Sequence, residues 1–248
     1  MILDITSRAN PRVKQLAAGL DGMFVFEGEK LVRDLLERRV KMRLLIVHDR
    51  LRELADAAMA DEVWVTGRGV LDRISRLKDA PDLIAVIEEP WLTFAWQDAR
   101  AVVALDGLQD PANAGTAFRC AAAFGVDGIV LTGDGVRPWN PRFLRASQTA
   151  LLDVPFRVYP SLEKLLFSAE AARFNIYMTA AAPGTGPVPP QKLSFPCLVV
   201  VGNEGGGIAE RWLKAYPVVR IPQSGRVDSL NAGVSACILM YEMQREEG

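Results

Sequence analysis

Histidine is nearly missing from this 248-residue sequence: His48, in LLIVHDR, is the only one. With no paired cysteines beside it, it supplies no zinc set, and no metal is expected. A Ser-His-Asp arrangement would have to use His48, far from every glycine turn, so it reads as a strand-end histidine near the surface. Cysteine is scarce too. Cys120, Cys197 and Cys237 are odd in number, widely spaced and set in apolar contexts without a C-x-x-C, so three buried reduced thiols in a reducing compartment are expected. There is no surplus of charge: the formal net charge is -1. Residues 1–80 carry 15 Lys and Arg against 13 Asp and Glu, and the remainder 14 against 17. That N-terminal excess permits a polyanionic partner without arguing for one. No apolar run reaches membrane-spanning length, and the opening MILDITSRANPRVKQ lacks the apolar core of a leader. A cytoplasmic protein with no membrane partner is expected.

What remains is ordinary globular composition, 50% apolar and 24% charged, in two textures. Residues 1–88 open with a polar stretch. Strand-like MFVF, RLLIVHD, DEVWVTG and PDLIAVIEE follow, with helical EKLVRDLLERR, DRLRELADAAMA and GVLDRISRLKDA between them. This is a small α/β domain. Residues 89–100, with Pro90 and two tryptophans, read as a linker. From 101 to 248 strands alternate regularly with helices at 113–124, 141–151, 161–171, 208–216 and 230–245. That pattern means a parallel sheet covered on both faces. AAPGTGPVPPQKLSFP between two strands reads as an exposed loop.

Ligands of such sheets bind beyond the carboxyl ends of strands. The glycine-rich VVVGNEGGGI does not fit G-x-G-x-x-G, and no G-x-x-x-x-G-K-S/T occurs, so dinucleotide dehydrogenases and P-loop NTPases lack their signatures. Three turns are left. In LDGLQDPANAGTAFRCAAAFG, Asn113 is either a helix cap or a functional amide. Arg119 interrupts a helix apolar nearly all round, which reads as buried, so its guanidinium needs an anionic partner or a pocket. In GNEGGG an acid, Glu204, sits where a phosphate cradle would not want one. In IPQSGRVDSLNAGVSACILMYEMQ, Ser229 is placed to cap the last helix, and Leu230, Val234, Cys237, Ile238 and Tyr241 form its expected buried stripe. Asn231, just inside that helix, is a poor helix former with an amide to spare.

DPANAGTAFRCAAAFGVDGIVL, VVVGNEGGGI and IPQSGRVDSLNAGVSACILMYE resemble, in order and spacing, the three motifs of the SpoU/TrmH family of RNA ribose 2'-O-methyltransferases. The N-terminal ITSRANPRVKQLAA and FVFEGEKLVRDLLE resemble the substrate-binding domain of members that modify large-subunit ribosomal RNA. The resemblance implies a small ribosomal-protein-like α/β domain followed by a parallel-sheet α/β domain with a deep trefoil knot. It implies a homodimer, S-adenosylmethionine as cofactor and RNA as partner. The implied catalytic set is Asn113, Arg119, Glu204, Ser229 and Asn231. Thr179, Ala180, Gly202, Asn203, Gly205, Ile221 and Leu230 would hold the cofactor, and Arg8, Arg12, Lys14, Lys30 and Arg33 the RNA. The rival readings are a non-catalytic RNA-binding ribosome-assembly protein on the same fold, a transfer-RNA 2'-O-methyltransferase and a nicotinamide dehydrogenase. The sequence departs from the family at RASQTALLDVPF, which lacks a central glycine, and at Gly233, where a larger residue is usual; a close neighbour is expected there.

Overall fold

The computed structural model describes residues 1–20, 23–88, 92–180, 193–224 and 226–245. The chain divides into two compact units, Met1–Pro90 with Pro138–Thr149, and Trp91–Arg137 with Ala150–Gly248. Residues 89–91 of the expected linker, and residues 181–192 of the expected loop, lie outside the described residues.

The first unit is a mixed five-stranded sheet. Its strands are β1 (Ile2–Ile5), β2 (Phe24–Glu27), β3 (Met42–His48), β4 (Ala60–Thr66) and β5 (Leu83–Ile87), in the order β1-β4-β3-β5-β2. β1 and β3 run parallel to β4, whereas β5 is antiparallel to both β2 and β3. The polar opening stretch contains a strand and a helix. Ile2–Ile5 joins the sheet edge, and Asn10 starts helix α1 (Pro11–Ala18) by accepting a hydrogen bond from Arg12 N, with proline in the first turn. Helix α2 (Glu29–Glu37) forms where periodicity placed it, whereas helix α3 (Arg68–Ile74) covers only the first half of the helix expected over 69–80. The helix expected over 49–60 shrinks to one 3-10 segment, Asp49–Leu54, because Leu51 leaves helical geometry (φ -116°, ψ 24°). His48 ends β3 half-buried, its Nδ1 2.7 Å from Asp49 Oδ1 and accepting from Arg50 N at 3.3 Å.

The second unit is a six-stranded, wholly parallel sheet. It comprises β6 (Ala101–Asp106), β7 (Gly128–Thr132), β8 (Phe156–Tyr159), β9 (Asn175–Thr179), β10 (Cys197–Val201) and β11 (Val218–Val219), ordered β11-β9-β10-β6-β7-β8. Every residue of β7 and β10 is buried, the signature of strands covered on both faces. Helices α4 (Pro111–Phe124), α6 (Leu162–Ala171), α7 (Glu210–Ala215) and α8 (Ala232–Arg245) supply the cover. On one side Trp96 stacks edge-on against Phe94 at 5.2 Å and Phe174 at 4.9 Å, inside a cluster with Leu165, Met178 and Leu198. The helix expected over 141–151 is α5 (Pro141–Ser147) followed by a 3-10 turn (Gln148–Leu152). It groups with the first unit because Phe143 and Leu144 are buried there against β2 and Thr149 Oγ1 donates to Asp34.

Three expectations about α4 and α8 are corrected. α4 is not buried all round: Ala114, Ala117, Phe118 and Ala121 face inward while Arg119, Ala122 and Ala123 are exposed. The buried stripe of α8 is Ala232, Gly233, Ala236, Leu239, Met240 and Met243, not the expected one; Val234 and Tyr241 are 44% and 50% exposed. Small residues carry little hydrophobic signal, yet they let α8 press against α4. Finally, Cys120 and Cys237 are not free thiols. They form a disulfide joining α4 to α8 with Cα atoms 5.4 Å apart, and Cys197 is buried and outside it.

Candidate active site

In the sheet order, β10 and β6 are neighbours, and the chain departs from that pair in opposite directions. Such a switch point opens a crevice at the carboxyl ends of its strands. Asp106 ends β6, and its carboxylate accepts a hydrogen bond from Thr132 Oγ1 at the end of β7. Asp110 then caps α4 by accepting from Ala112 N at 2.9 Å, with Pro111 opening the helix. Asn113 is therefore not the cap; it lies inside the first turn, 8% exposed, with its amide free for other work.

After β10 the GNEGGG turn is organised by its own asparagine. Asn203 Oδ1 accepts from Gly205 N at 3.1 Å and Gly206 N at 2.7 Å, and Gly207 N returns to Asn203 O at 3.1 Å. The turn closes on Gly202, where a Cβ would stand 2.5 Å from Gly207 C and 2.7 Å from Ile208 N. Any side chain there would force the turn open. The third segment leads into α8, which begins at Ala232. Asn231 precedes that helix rather than lying inside it, and its Oδ1 accepts from Val234 N at 3.1 Å. It, not Ser229, is the residue seen capping α8.

These turns meet through one polar chain. Asn231 Nδ2 donates to Asn113 Oδ1 at 2.8 Å, and Asn113 Nδ2 donates to Glu204 Oε1 at 2.7 Å. Gln109 N donates to Glu204 Oε2 at 3.4 Å. Burial pushes the Glu204 carboxyl up. The hydrogen bonds from Asn113 and from the backbone N–H groups of Glu204, Gln109 and Asp110 outweigh it and hold the group below its ordinary value of 4.5. Glu204 is thus an anion fixed in orientation. Its partner is Asn113 and not Arg119.

Beside this chain lies a cavity of about 450 Å³. Thr179, Ala180, Gly202, Asn203, Glu204, Ile221, Ser229, Leu230 and Asn231 all line it. Gly205 does not; it serves the turn through its N–H bond to Asn203. Sequence reasoning missed Gly206, Gly207, Leu213, Gln223 and Ser235, which also line the cavity. The two glycines were legible as part of the turn. Leu213, Gln223 and Ser235 come from separate segments and carried no motif. Arg119 is exposed on α4, and its guanidinium has no partner among the described residues. In the first unit, Arg12 pairs with Glu62 at 3.2 Å and Arg33 with Glu29 at 2.8 Å. Arg8, Lys14 and Lys30 are exposed without an ionic partner among the described residues.

A parallel α/β sheet whose switch point holds a glycine turn, an oriented acid and a small-molecule-sized cavity defines a ligand-binding α/β domain. Its motifs place it further: the chain belongs to the SpoU rRNA methylase family, whose model matches residues 100–241. It is 30% identical over 224 residues to a 23S rRNA (guanosine(2553)-2'-O)-methyltransferase of Bacillus subtilis, covering 89% of this chain and 88% of that one. An uncharacterized tRNA/rRNA methyltransferase of Synechocystis is 30% identical over 99% of this chain and 95% of its own length. Among solved structures, the AdoMet-bound rRNA methyltransferase of Sinorhizobium meliloti superposes with a TM-score of 0.82 at 27% identity, covering 98% of both chains.

Proposed function

We propose that this protein transfers a methyl group from S-adenosylmethionine to a ribose 2'-hydroxyl of RNA, and that the RNA is large-subunit ribosomal. The observation that carries the reading is the Asn231–Asn113–Glu204 chain, which ties the three family motifs to the rim of one cavity. The residues present fit the cofactor. Leu213, Val219, Ile221 and Leu230 give the cavity an apolar wall suited to an adenine ring, and anionic Glu204 complements a cationic ligand where it would repel a phosphate. Bound there, S-adenosylmethionine supplies an electrophilic methyl group.

The protein's own task is alignment. Holding the ribose oxygen in line with the leaving sulfur can remove roughly 7–11 kcal/mol of barrier. Glu204 fixes Asn113, Asn113 fixes Asn231, and Ser229 and Asn231 line the cavity beside them as substrate-orienting groups. Arg119 grips the phosphate next to the target ribose and stabilises the developing alkoxide, rather than acting as base, and the hydroxyl proton passes to solvent water.

The protein acts as a cytoplasmic homodimer, and the reading carries the family's trefoil knot with it. In support of the dimer, Ala122, Ala123, Val234 and Tyr241 leave an exposed apolar face on α4 and α8, next to Arg119. The N-terminal unit selects the RNA through Arg8, Lys14 and Lys30, with Arg12 and Arg33 exchanging their carboxylate partners for phosphate.

The deciding experiment titrates the purified protein calorimetrically with S-adenosylmethionine, with NADH as control, and then maps 2'-O-methylation in ribosomal RNA treated with the enzyme. Binding of S-adenosylmethionine alone, followed by a new 2'-O-methyl mark, is expected. A folded protein that binds RNA but neither takes the cofactor nor leaves a mark would be an RNA-binding assembly factor instead.

A further inference from the structure

Between Gly135 and Leu152 the chain carries three arginines, Arg137, Arg142 and Arg145, with no lysine and no acid. The last two lie three residues apart on α5, so they share a face with Cβ atoms about 5–6 Å apart. Phe143, Leu144 and Ser147 are buried, whereas Arg142 and Arg145 are exposed. The helix is pinned at both ends. Asn140 Oδ1 accepts from Arg142 N at 2.9 Å and Phe143 N at 3.3 Å, and Thr149 Oγ1 donates to Asp34 of α2 at 2.7 Å. Leu144 and Arg145 line a cleft with Val25, Leu31 and Leu77, so exposed Arg145 borders apolar side chains.

The charge of this pair is uncommitted. In the same unit Arg12, Arg33, Arg43, Arg50, Arg52 and Arg68 are each ion-paired, with Glu62, Glu29, Glu88, Asp82, Asp4 and Asp82. The guanidinium groups of Arg142 and Arg145 have no ionic or hydrogen-bond partner among the described residues. Glu27, the acid that lines the cleft, is already engaged by Ser75 Oγ and Arg76 N. Two like charges side by side on one helix face repel each other, and a bound anion relieves that repulsion. Guanidinium forks also match phosphate oxygens in geometry, where ammonium groups act only as point charges.

We propose that Arg142 and Arg145 form a phosphate-binding surface for the substrate RNA, presented by a helix that leaves the methyltransferase segment of the sequence to dock on the N-terminal unit. This rests on the RNA methyltransferase reading above. RNA affinity is measured against salt concentration for the wild type, Arg142→Ala/Arg145→Ala, Arg142→Lys/Arg145→Lys and the paired-charge control Arg43→Ala. Calorimetric titration with S-adenosylmethionine runs alongside. Loss of two single-strand phosphate contacts makes the slope of log K against log salt shallower by about 1.4. The double alanine variant is expected to show that change and a raised KM for RNA, with unchanged cofactor affinity and unchanged kcat at saturating RNA. The lysine variant keeps the salt slope and loses part of the affinity, and Arg43→Ala matches the wild type. If the wild type binds RNA and the double alanine variant binds it equally at every salt, the proposal is overturned and the methyltransferase reading stands. If the wild type itself has no affinity for RNA, both fall.

Discussion

Asn113 donates its side-chain amide to Glu204 across 2.7 Å, bridging the first turn of α4 to the glycine turn after β10. Asn113→Ala leaves Glu204 without its side-chain donor and Asn231 without its acceptor. Misplacing reacting groups by about 1 Å can cost on the order of a hundredfold in rate, and a loss of that size in single-turnover methyl transfer is expected here. The check is that cofactor affinity changes far less than rate. Equal losses in both would mean that the asparagine only shapes the cavity.

The hydrogen bonds on Glu204 give stability a pH dependence. Its folded carboxyl lies below the ordinary 4.5, so its contribution is present above that value and lost as pH falls through the lowered folded value. Comparing thermal midpoints of the wild type and Glu204→Gln across pH should show a gap at neutral pH that closes in acid. A gap that widened on acidification would contradict the assignment. The side chain is exposed enough for solvent to weaken the effect, so a modest gap is expected.

Gly233 is where α8 touches α4. A Cβ there would stand 2.8 Å from Asn113 O, 3.1 Å from Asn113 Cα and 3.2 Å from Asn231 Oδ1. Alanine favours a helix over glycine by about 1 kcal/mol, but here it must push against backbone, and overpacking costs typically 1–3 kcal/mol. Gly233→Ala is therefore expected to lower the denaturant midpoint and to slow methyl transfer more than it destabilises, since it separates Asn113 from Asn231. An unchanged midpoint and rate would show that the helices yield freely.

The Cys120–Cys237 disulfide closes a sequence separation of 117 residues. Thiol titration of the denatured, unreduced protein should find one reactive group, Cys197, and three after reduction. Disulfides contribute about 2–4 kcal/mol, so reduction or Cys237→Ser should lower the unfolding midpoint. Three thiols before reduction would remove the cross-link.

Much of the catalytic unit is legible in the sequence. Short continuous apolar runs such as Cys197–Val201, bounded by turn residues, read as buried strands, and their alternation with helices points to a parallel sheet. The glycine turn, the helix opened by Pro111 and the polar segment before α8 each stand out locally, because the residue types serve local backbone geometry. Less of the first unit is legible: Ile2–Ile5 is too short and too polar in its surroundings to announce a strand, and its pairing with β4 is made about sixty residues away.

In the second unit, adjacent letters were enough for most of the strands and helices, for the parallel sheet and the three turns and, through their order and spacing, for the family. Long-range packing was needed to see which face of α8 is buried, that Cys120 meets Cys237, that α5 belongs with the first unit, and that Glu204 is held by Asn113 while Arg119 is exposed. The division has a physical reason. Backbone propensity, capping and hydrophobic period act over a few residues and are written in adjacent letters. Which small residues let two helices touch, and which charge finds a partner, depend on chain segments a hundred residues apart being brought together.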